Sequence, residues 1–549
     1  MAIPDPSSPR TPECRTLPVH SGLQPRPAGH EHPDPDRERE QQREDHGNEE
    51  AAHRPHDNPD PDSMSLRVAI LASEATPLCK TGGLADVAGA LAECLHAGGH
   101  DVRLFIPGYA SIERSRYGPR PVEGLQNVAL EVGTHRYVFS VGQLSLPGSG
   151  ALAYLIECPV LFGRPTLYTG DPDEHLRFLA FTRAALIACG RLGWAPQIVH
   201  CNDWHTAFAP LLLRTHFAQE PAFAAARTVL TIHNIGYQGI FSATDVGDLA
   251  LGDHAFLLHQ DDLRAGVINP LRHGILYADA LTTVSPTHAR EICSDEYGMG
   301  LQDSLRMREL DLTGILNGVD YGIWDPRVDV NLPQHFDAEH LAVKTDLKRA
   351  LLSRLGFTSD GSVPLAGIVS RLARQKGIDL MIEVLPRVLR ARALALVVLG
   401  TGDAPYEQFF RDLAEQFPGQ VIFHRGYDDA LAHWIEAASD LFLMPSRYEP
   451  CGLNQMYSLR YGTVPVVRRT GGLADSVEHF DPASGQGTGI VFNDFDAPAL
   501  EWALNTALDW YADPTRWRRI MRNGMAKDFS WTRQSGQYLE IYQRLSSPK

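Results

Sequence analysis

The residues best suited to chemistry fall in short loops that each follow an apolar run. Lys80-Thr81-Gly82-Gly83-Leu84 sets paired glycines between the run 66–72 and a helical pattern. Paired glycines let the backbone approach a ligand closely, the following helix N-terminus offers free N–H groups, and the adjacent lysine adds a charge. That combination suits a diphosphate, although a plain strand-to-helix turn uses the same glycines. His200-Cys201-Asn202-Asp203-Trp204-His205 and the segment 231–239 (TIHNIGYQG) follow two further runs. Polar residues gathered at the carboxyl ends of central strands serve a site more often than a core, so Asp203 and His233 are candidates for ligand contact. In the second half, Ser370–Gly377 carries Arg371 and Lys376. Arginine grips phosphate oxygens bidentately and lysine acts as a point charge, while Arg374 fits a solvated loop. Ser446–Gln455 holds Glu449, Pro450, Cys451, Gly452 and Leu453. Pro450 and Gly452 shape a tight turn, a helix starts near Leu453 whose N–H groups fit an anion, and the Glu449 carboxylate fits paired sugar hydroxyls. A last loop, 469–475, echoes the Gly-Gly-Leu-Ala-Asp of 82–86, but two short matches do not establish duplication.

Other devices are missing from the sequence. There is no Gly-Lys dipeptide for a Walker-A loop, no GxGxxG after a strand, no GxSxG elbow, and no HExxH or CxxC metal spacing. The eight cysteines are scattered, which in a long chain reads as reduced thiols in a cytoplasm.

The loops require elements to hold them. Leu66–Ala72, Val102–Ile106, Ile198–His200, Thr228–Ile232 and Ala280–Val284 read as buried parallel strands, with helical patterns at Leu84–His96 and Leu176–Leu192. Leu365–Ser370, Leu394–Leu399, Val421–His424, Leu441–Met444, Val464–Val467 and Gly489–Phe492 repeat the theme. The expectation is α/β: two doubly wound domains, 65–330 and 331–520, joined through the aperiodic stretch Asp320–Asp346, with the site in the cleft between their strand ends. Trp510–Leu545 reads as helical, and 521–549 is expected to pack back across both domains.

The 549 residues carry a net charge of −17, which argues against a nucleic-acid partner and against docking on an anionic membrane. No apolar run is long enough for a spanning helix. Residues 1–64 hold 12 of the 38 prolines, no Phe, Trp or Tyr, and 14 acids against 7 bases. Such a segment buries too little apolar surface to order itself, so a disordered extension is expected there. It lacks the apolar stretch of a signal peptide and is too acidic for a transit peptide, and Met64 is a candidate start residue.

Taken in order, KTGGLADV (80–87), NDWH (202–205), TIHNIGYQG (231–239), TVSPTHAREI (283–292), GILNGVD (314–320), SRLARQKGIDL (370–380), EPCGLNQMY (449–457) and RRTGGLADSV (468–477) resemble the bacterial glycogen synthases and related plant starch synthases over about residues 66–545. The resemblance implies a GT-B fold and transfer of glucose from ADP-glucose to the non-reducing 4-OH of an α-1,4-glucan such as glycogen, with retention, in the cytoplasm and without a cofactor. It places Lys80, Gly82 and Gly83 at the donor diphosphate, and Arg371 and Lys376 at the departing ADP in place of a metal ion. Glu449 falls beside the sugar with Cys451 next to it, and Asp203, His233 and Asn317 among donor- or acceptor-side groups. One departure from many retaining glycosyltransferases is Tyr457, eight positions after Glu449, where those enzymes carry a second glutamate. UDP-glucose as donor or a different glucan product stays open on the residues alone. An inactive glucan-binding homologue is disfavoured, because Lys80, Arg371, Lys376 and Glu449 are all retained.

Overall fold

Short runs of Val, Ile, Leu and Ala become parallel strands covered by helices on both faces, because only that setting buries every side chain of a continuous apolar run. The computed structural model describes residues 65–357 and 361–547; the extension 1–64 lies outside the described residues. In the first lobe the strands are β1 (Arg67–Leu71), β2 (Asp101–Pro107), β3 (Arg120–Pro121), β4 (Val128–Val132), β5 (His135–Ser145), β6 (Leu152–Glu157), β7 (Ile198–Asn202), β8 (Arg227–Ile232), β9 (Phe241–Ser242), β10 (Val267–Ile268), β11 (Ala280–Thr283) and β12 (Leu312–Gly314). Those of the second are β13 (Leu365–Val369), β14 (Ala395–Gly400), β15 (Val421–Arg425), β16 (Leu441–Met444), β17 (Val464–Arg468) and β18 (Ile490–Phe492).

The first sheet runs β12-β11-β8-β7-β1-β2-β6-β5-β3, with β4 paired to β5, and β9 and β10 form a separate pair. From β12 to β6 it is parallel, and β5 turns it antiparallel. The second sheet is wholly parallel in the order β15-β14-β13-β16-β17-β18. Strand order therefore reverses between β1 and β7 in one lobe and between β13 and β16 in the other. In open parallel sheets those reversal points are where loops diverge and ligands sit.

Two expectations about elements need correction. None of the strands between Arg120 and Glu157 is among the apolar runs singled out above. Strand β5 (HRYVFSVGQLS) is largely exposed over its first half, so it presents an interrupted pattern. The helical stretch expected over Trp510–Leu545 is three helices, Ala497–Tyr511, Pro514–Met525 and Trp531–Ser546. Asp513 accepts N–H bonds from Thr515 and Arg516 and Pro514 opens the middle helix, so the chain restarts there. Trp517, Ile520 and Met521 pack in the second lobe's core, which carries that lobe past residue 520.

The final helix crosses back. Trp531, Tyr538, Ile541 and Tyr542 are buried in the first lobe's core. The chain leaves the first lobe beside the same path, where Val319 N–H donates to Phe529 O at 2.7 Å. Tyr542 Oη lies 2.7 Å from His200 Nδ1, and His200 Nε2 lies 2.6 Å from Thr231 Oγ1, so a buried polar chain ties the last helix to β7 and β8. Among the described residues no helix is long and apolar enough to cross a membrane.

Removing one end of that chain strands a buried acceptor or donor. Tyr542→Phe is expected to lower the unfolding free energy by about 1–3 kcal/mol in urea denaturation. A change under about 0.5 kcal/mol would show that the His200 bond contributes nothing net.

Candidate active site

In the second lobe the loops after β13 and β16 meet at a glycine. Gly377 has φ +71°, and a Cβ there would lie 2.0 Å from Pro445 O, so no other residue lets the loops pack this closely. The contact delivers Lys376 to the neighbouring loop. Its Nζ donates to Glu449 Oε2 at 2.6 Å, and the Ser446 hydroxyl donates to the same oxygen at 3.0 Å. Glu449 is buried, whereas Lys376 is half-buried and Arg371 is exposed. Arg371 Nη2 donates to Gln375 Oε1 at 3.3 Å. Arg371, Lys376, Ser446, Gly452 and Leu453 line a cavity of about 200 Å³ at the strand ends. Gly452, at φ +73°, makes the turn that aims this loop.

Across the cleft, the loop after β1 is shaped by a residue that sequence reasoning missed. Glu74 is buried, and its Oε2 accepts the Thr81 N–H and, at 2.7 Å, the Thr81 hydroxyl. Burial raises its carboxyl above the usual range. The signal was a lone acid directly after the first apolar run. Lys80 Nζ pairs with Asp86 Oδ1 at 2.8 Å, Gly82 precedes the helix Gly83–Ala97, and Gly83 opens it. A Cβ on Gly83 would sit 3.9 Å from Leu453 Cδ1, so the two glycine turns face each other from opposite lobes.

Asp203 and His233 form a second group. Asp203 holds a left-handed φ of +54°, and its Oδ1 accepts the His233 N–H at 2.7 Å. Burial pushes its carboxyl up to about 7 against the bonds from His233 and Asn234 that favour the anion. The His233 Nε2 lies 2.9 Å from Asn202 Oδ1, whose amide donates to Leu71 O at 3.0 Å. This leaves Nδ1 as the ring nitrogen able to meet a ligand. Burial holds the imidazole down to about 3, so it is neutral. Asn317 is buried, and among the described residues nothing hydrogen-bonds its Oδ1. Cys451 packs in the second lobe's core, where burial pushes its thiol up to about 12 against the Asn317 backbone, so it is a neutral packing group. Tyr427, after β15, is 80% exposed with its hydroxyl donating to Asp429 Oδ1 at 2.9 Å. Among the described residues no cluster of His, Cys, Asp and Glu is placed to hold a metal ion.

Two cations, a carboxylate and a neutral imidazole thus flank a cleft between the two sheets. Residues 67–307 match the family model for the starch synthase catalytic domain, and 357–524 match that for glycosyl transferases group 1. A glycogen synthase of Anaeromyxobacter dehalogenans (strain 2CP-1) is 46% identical, over 88% of this chain and 99% of its own length. A glycogen synthase of Thermotoga maritima is 40% identical, over 87% and 99%. The chain belongs to the glycogen and starch synthase family. The catalytic domain of starch synthase IV from Arabidopsis thaliana, solved bound to ADP and acarbose, is similar with a TM-score of 0.82 at 36% identity, over 88% of this chain and 100% of that one. Sucrose-phosphate synthase from Thermosynechococcus elongatus, at 18% identity and a TM-score of 0.54 over 87% of this chain and 99% of its own, shares the fold. The fold is GT-B, and the enzyme is a glycosyltransferase of glycogen synthesis.

A histidine pushed from 6.5 to about 3 refuses a proton that the unfolded chain accepts, so its contribution to stability falls as the pH drops below 6.5. The His233 ring is expected to show no titration by NMR between about pH 8 and pH 5. A midpoint near 6.5 would contradict its placement.

Proposed function

We propose that this enzyme takes ADP-glucose as donor and extends an α-1,4-glucan at its non-reducing 4-OH with retention, in the cytoplasm. The observation that carries the reading is the joining of Arg371, Lys376 and Glu449 at one strand-order reversal, opposite the Lys80–Gly83 turn. That the similar Arabidopsis starch synthase domain was solved bound to ADP and acarbose supports a nucleoside diphosphate and an oligosaccharide as ligands.

The chemistry follows from charge. As the C1–O bond to the diphosphate breaks, negative charge grows on the leaving oxygen and the sugar becomes oxocarbenium-like. Cations fixed where that charge appears stabilise the transition state more than the ground state. Arg371 reaches from the exposed side of the cavity and Lys376 from its carboxylate-bound position. Glu449 keeps the lysine aimed and presents its own oxygens to sugar hydroxyls. The acceptor 4-OH attacks C1 from the face the diphosphate leaves, forming the new C1–O bond, and its proton passes to the departing phosphate oxygen. Neutral His233 orients glucose hydroxyls through Nδ1. Buried Asn317, with its unpartnered Oδ1, is a further acceptor for a sugar or ribose hydroxyl. Approach of the lobes excludes water, which protects the donor from hydrolysis.

Incorporation of labelled glucose into glycogen tests this directly. With ADP-glucose the wild-type enzyme is expected to be active and to prefer it over UDP-glucose in competition. Lys376→Ala and Arg371→Ala should each lose on the order of a hundredfold or more in turnover with the fold intact. Near-normal turnover in either variant, or preference for UDP-glucose, would overturn the respective assignment.

A further inference from the structure

The two Gly-Gly-Leu-Ala-Asp segments are used differently. In the first, a Cβ at Gly82 would come no nearer than 3.5 Å to Glu74 Oε1, and one at Gly83 no nearer than 3.9 Å to Leu453 Cδ1. Space remains in front of that turn. In the second, a Cβ at Gly471, whose φ is +42°, would lie 1.9 Å from Glu449 O, and one at Gly472 would lie 2.1 Å from Cys451 O. The place a ligand would take is filled by the protein's own backbone. Gly472 N–H donates to Glu449 O at 3.1 Å and to Pro450 O at 3.2 Å.

The same carbonyl is gripped from the other lobe. The Ser285 hydroxyl, after β11, donates to Pro450 O at 2.7 Å. Two carboxylates then join the short helices Pro286–Glu291 and Gly471–Ser476 reciprocally. Asp475 of the second lobe accepts the N–H and the hydroxyl of Thr287, each at 2.7 Å, at the start of the first-lobe helix. Glu291 of the first lobe accepts the Thr470 hydroxyl at 2.9 Å and the Gly471 N–H at 3.0 Å, at the start of the second-lobe helix. Each carboxylate satisfies N-terminal donors that its partner helix cannot satisfy itself.

We propose that Thr287, Glu291 and Asp475 form a latch between the lobes that positions the Glu449–Gly452 loop for glucosyl transfer. They are positioning residues and touch no substrate. The inference rests on the assignment of Glu449 to the reaction centre. With both lobes holding the backbone of one loop, a shift of either lobe displaces the Glu449 carboxylate and the Lys376 ammonium bonded to it. Misplacement of this kind falls on the chemical step.

The test is steady-state kinetics with ADP-glucose and glycogen on Asp475→Asn, Thr287→Val and the conservative Thr287→Ser, with melting temperatures alongside. Asp475→Asn and Thr287→Val are expected to lower kcat on the order of tenfold with the donor KM within about twofold, and Thr287→Ser to restore kcat. In a Glu449→Gln background the Thr287→Val loss should largely vanish, because the group it positions is gone. Folded Thr287→Val and Asp475→Asn enzymes with wild-type kcat, or a Thr287→Val loss that persists undiminished in the Glu449→Gln background, would overturn the latch and leave the site standing. Near-normal turnover of Glu449→Gln alone would overturn the site assignment and the latch with it.

Discussion

The arrangement depends on one ion pair, Lys376 to Glu449, set at the point where strand order reverses in the second sheet. Neighbouring parallel strands that begin their crossovers in opposite directions leave a crevice, and the Gly377 contact with Pro445 O closes it until the two loops share a hydrogen bond. A lysine beside a buried carboxylate is held in one geometry, which suits a group that must meet charge as it develops. A chain with a net charge of −17 thereby gathers two cations, Arg371 and Lys376, at one cavity. Net charge excludes an extended polyanion as partner without excluding a small one.

The first lobe complements this with neutral polar groups. Burial keeps His233 unprotonated, and Glu74 shapes the glycine turn through its bonds to Thr81. The last helix, locked to β7 through Tyr542 and His200, makes the first lobe depend on the far end of the chain.

Much of this was legible in the sequence, for identifiable reasons. Strands such as β13 and β16 are continuous apolar runs because both their faces are covered, and the loops after them stand out as polar residues with no core to serve. The antiparallel strands β3 to β5 escaped because their pattern is interrupted by exposed residues. Arg371, Lys376, Gly452 and Leu453 proved to line one cavity, with Glu449 bonded to it through Lys376. The burial of Cys451 in the core was invisible, since a short motif does not say which way a side chain points. The bonds of Thr287 to Asp475 and of Glu291 to Gly471 span 188 and 180 positions, and only the meeting of the lobes creates them. The second glycine pair echoed the first in sequence for the same reason: the backbone that fills the space before it comes from another loop.

In the proposed reaction Lys376 serves both Glu449 and a nucleotide phosphate. Calorimetric titration of ADP into the wild-type, Glu449→Gln and Lys376→Ala enzymes tests it most directly. Lys376→Ala is expected to weaken ADP by about tenfold or more, and Glu449→Gln to tighten it by removing a competing negative charge, even as turnover falls. Weaker ADP binding in Glu449→Gln, or unchanged binding in Lys376→Ala, would contradict it.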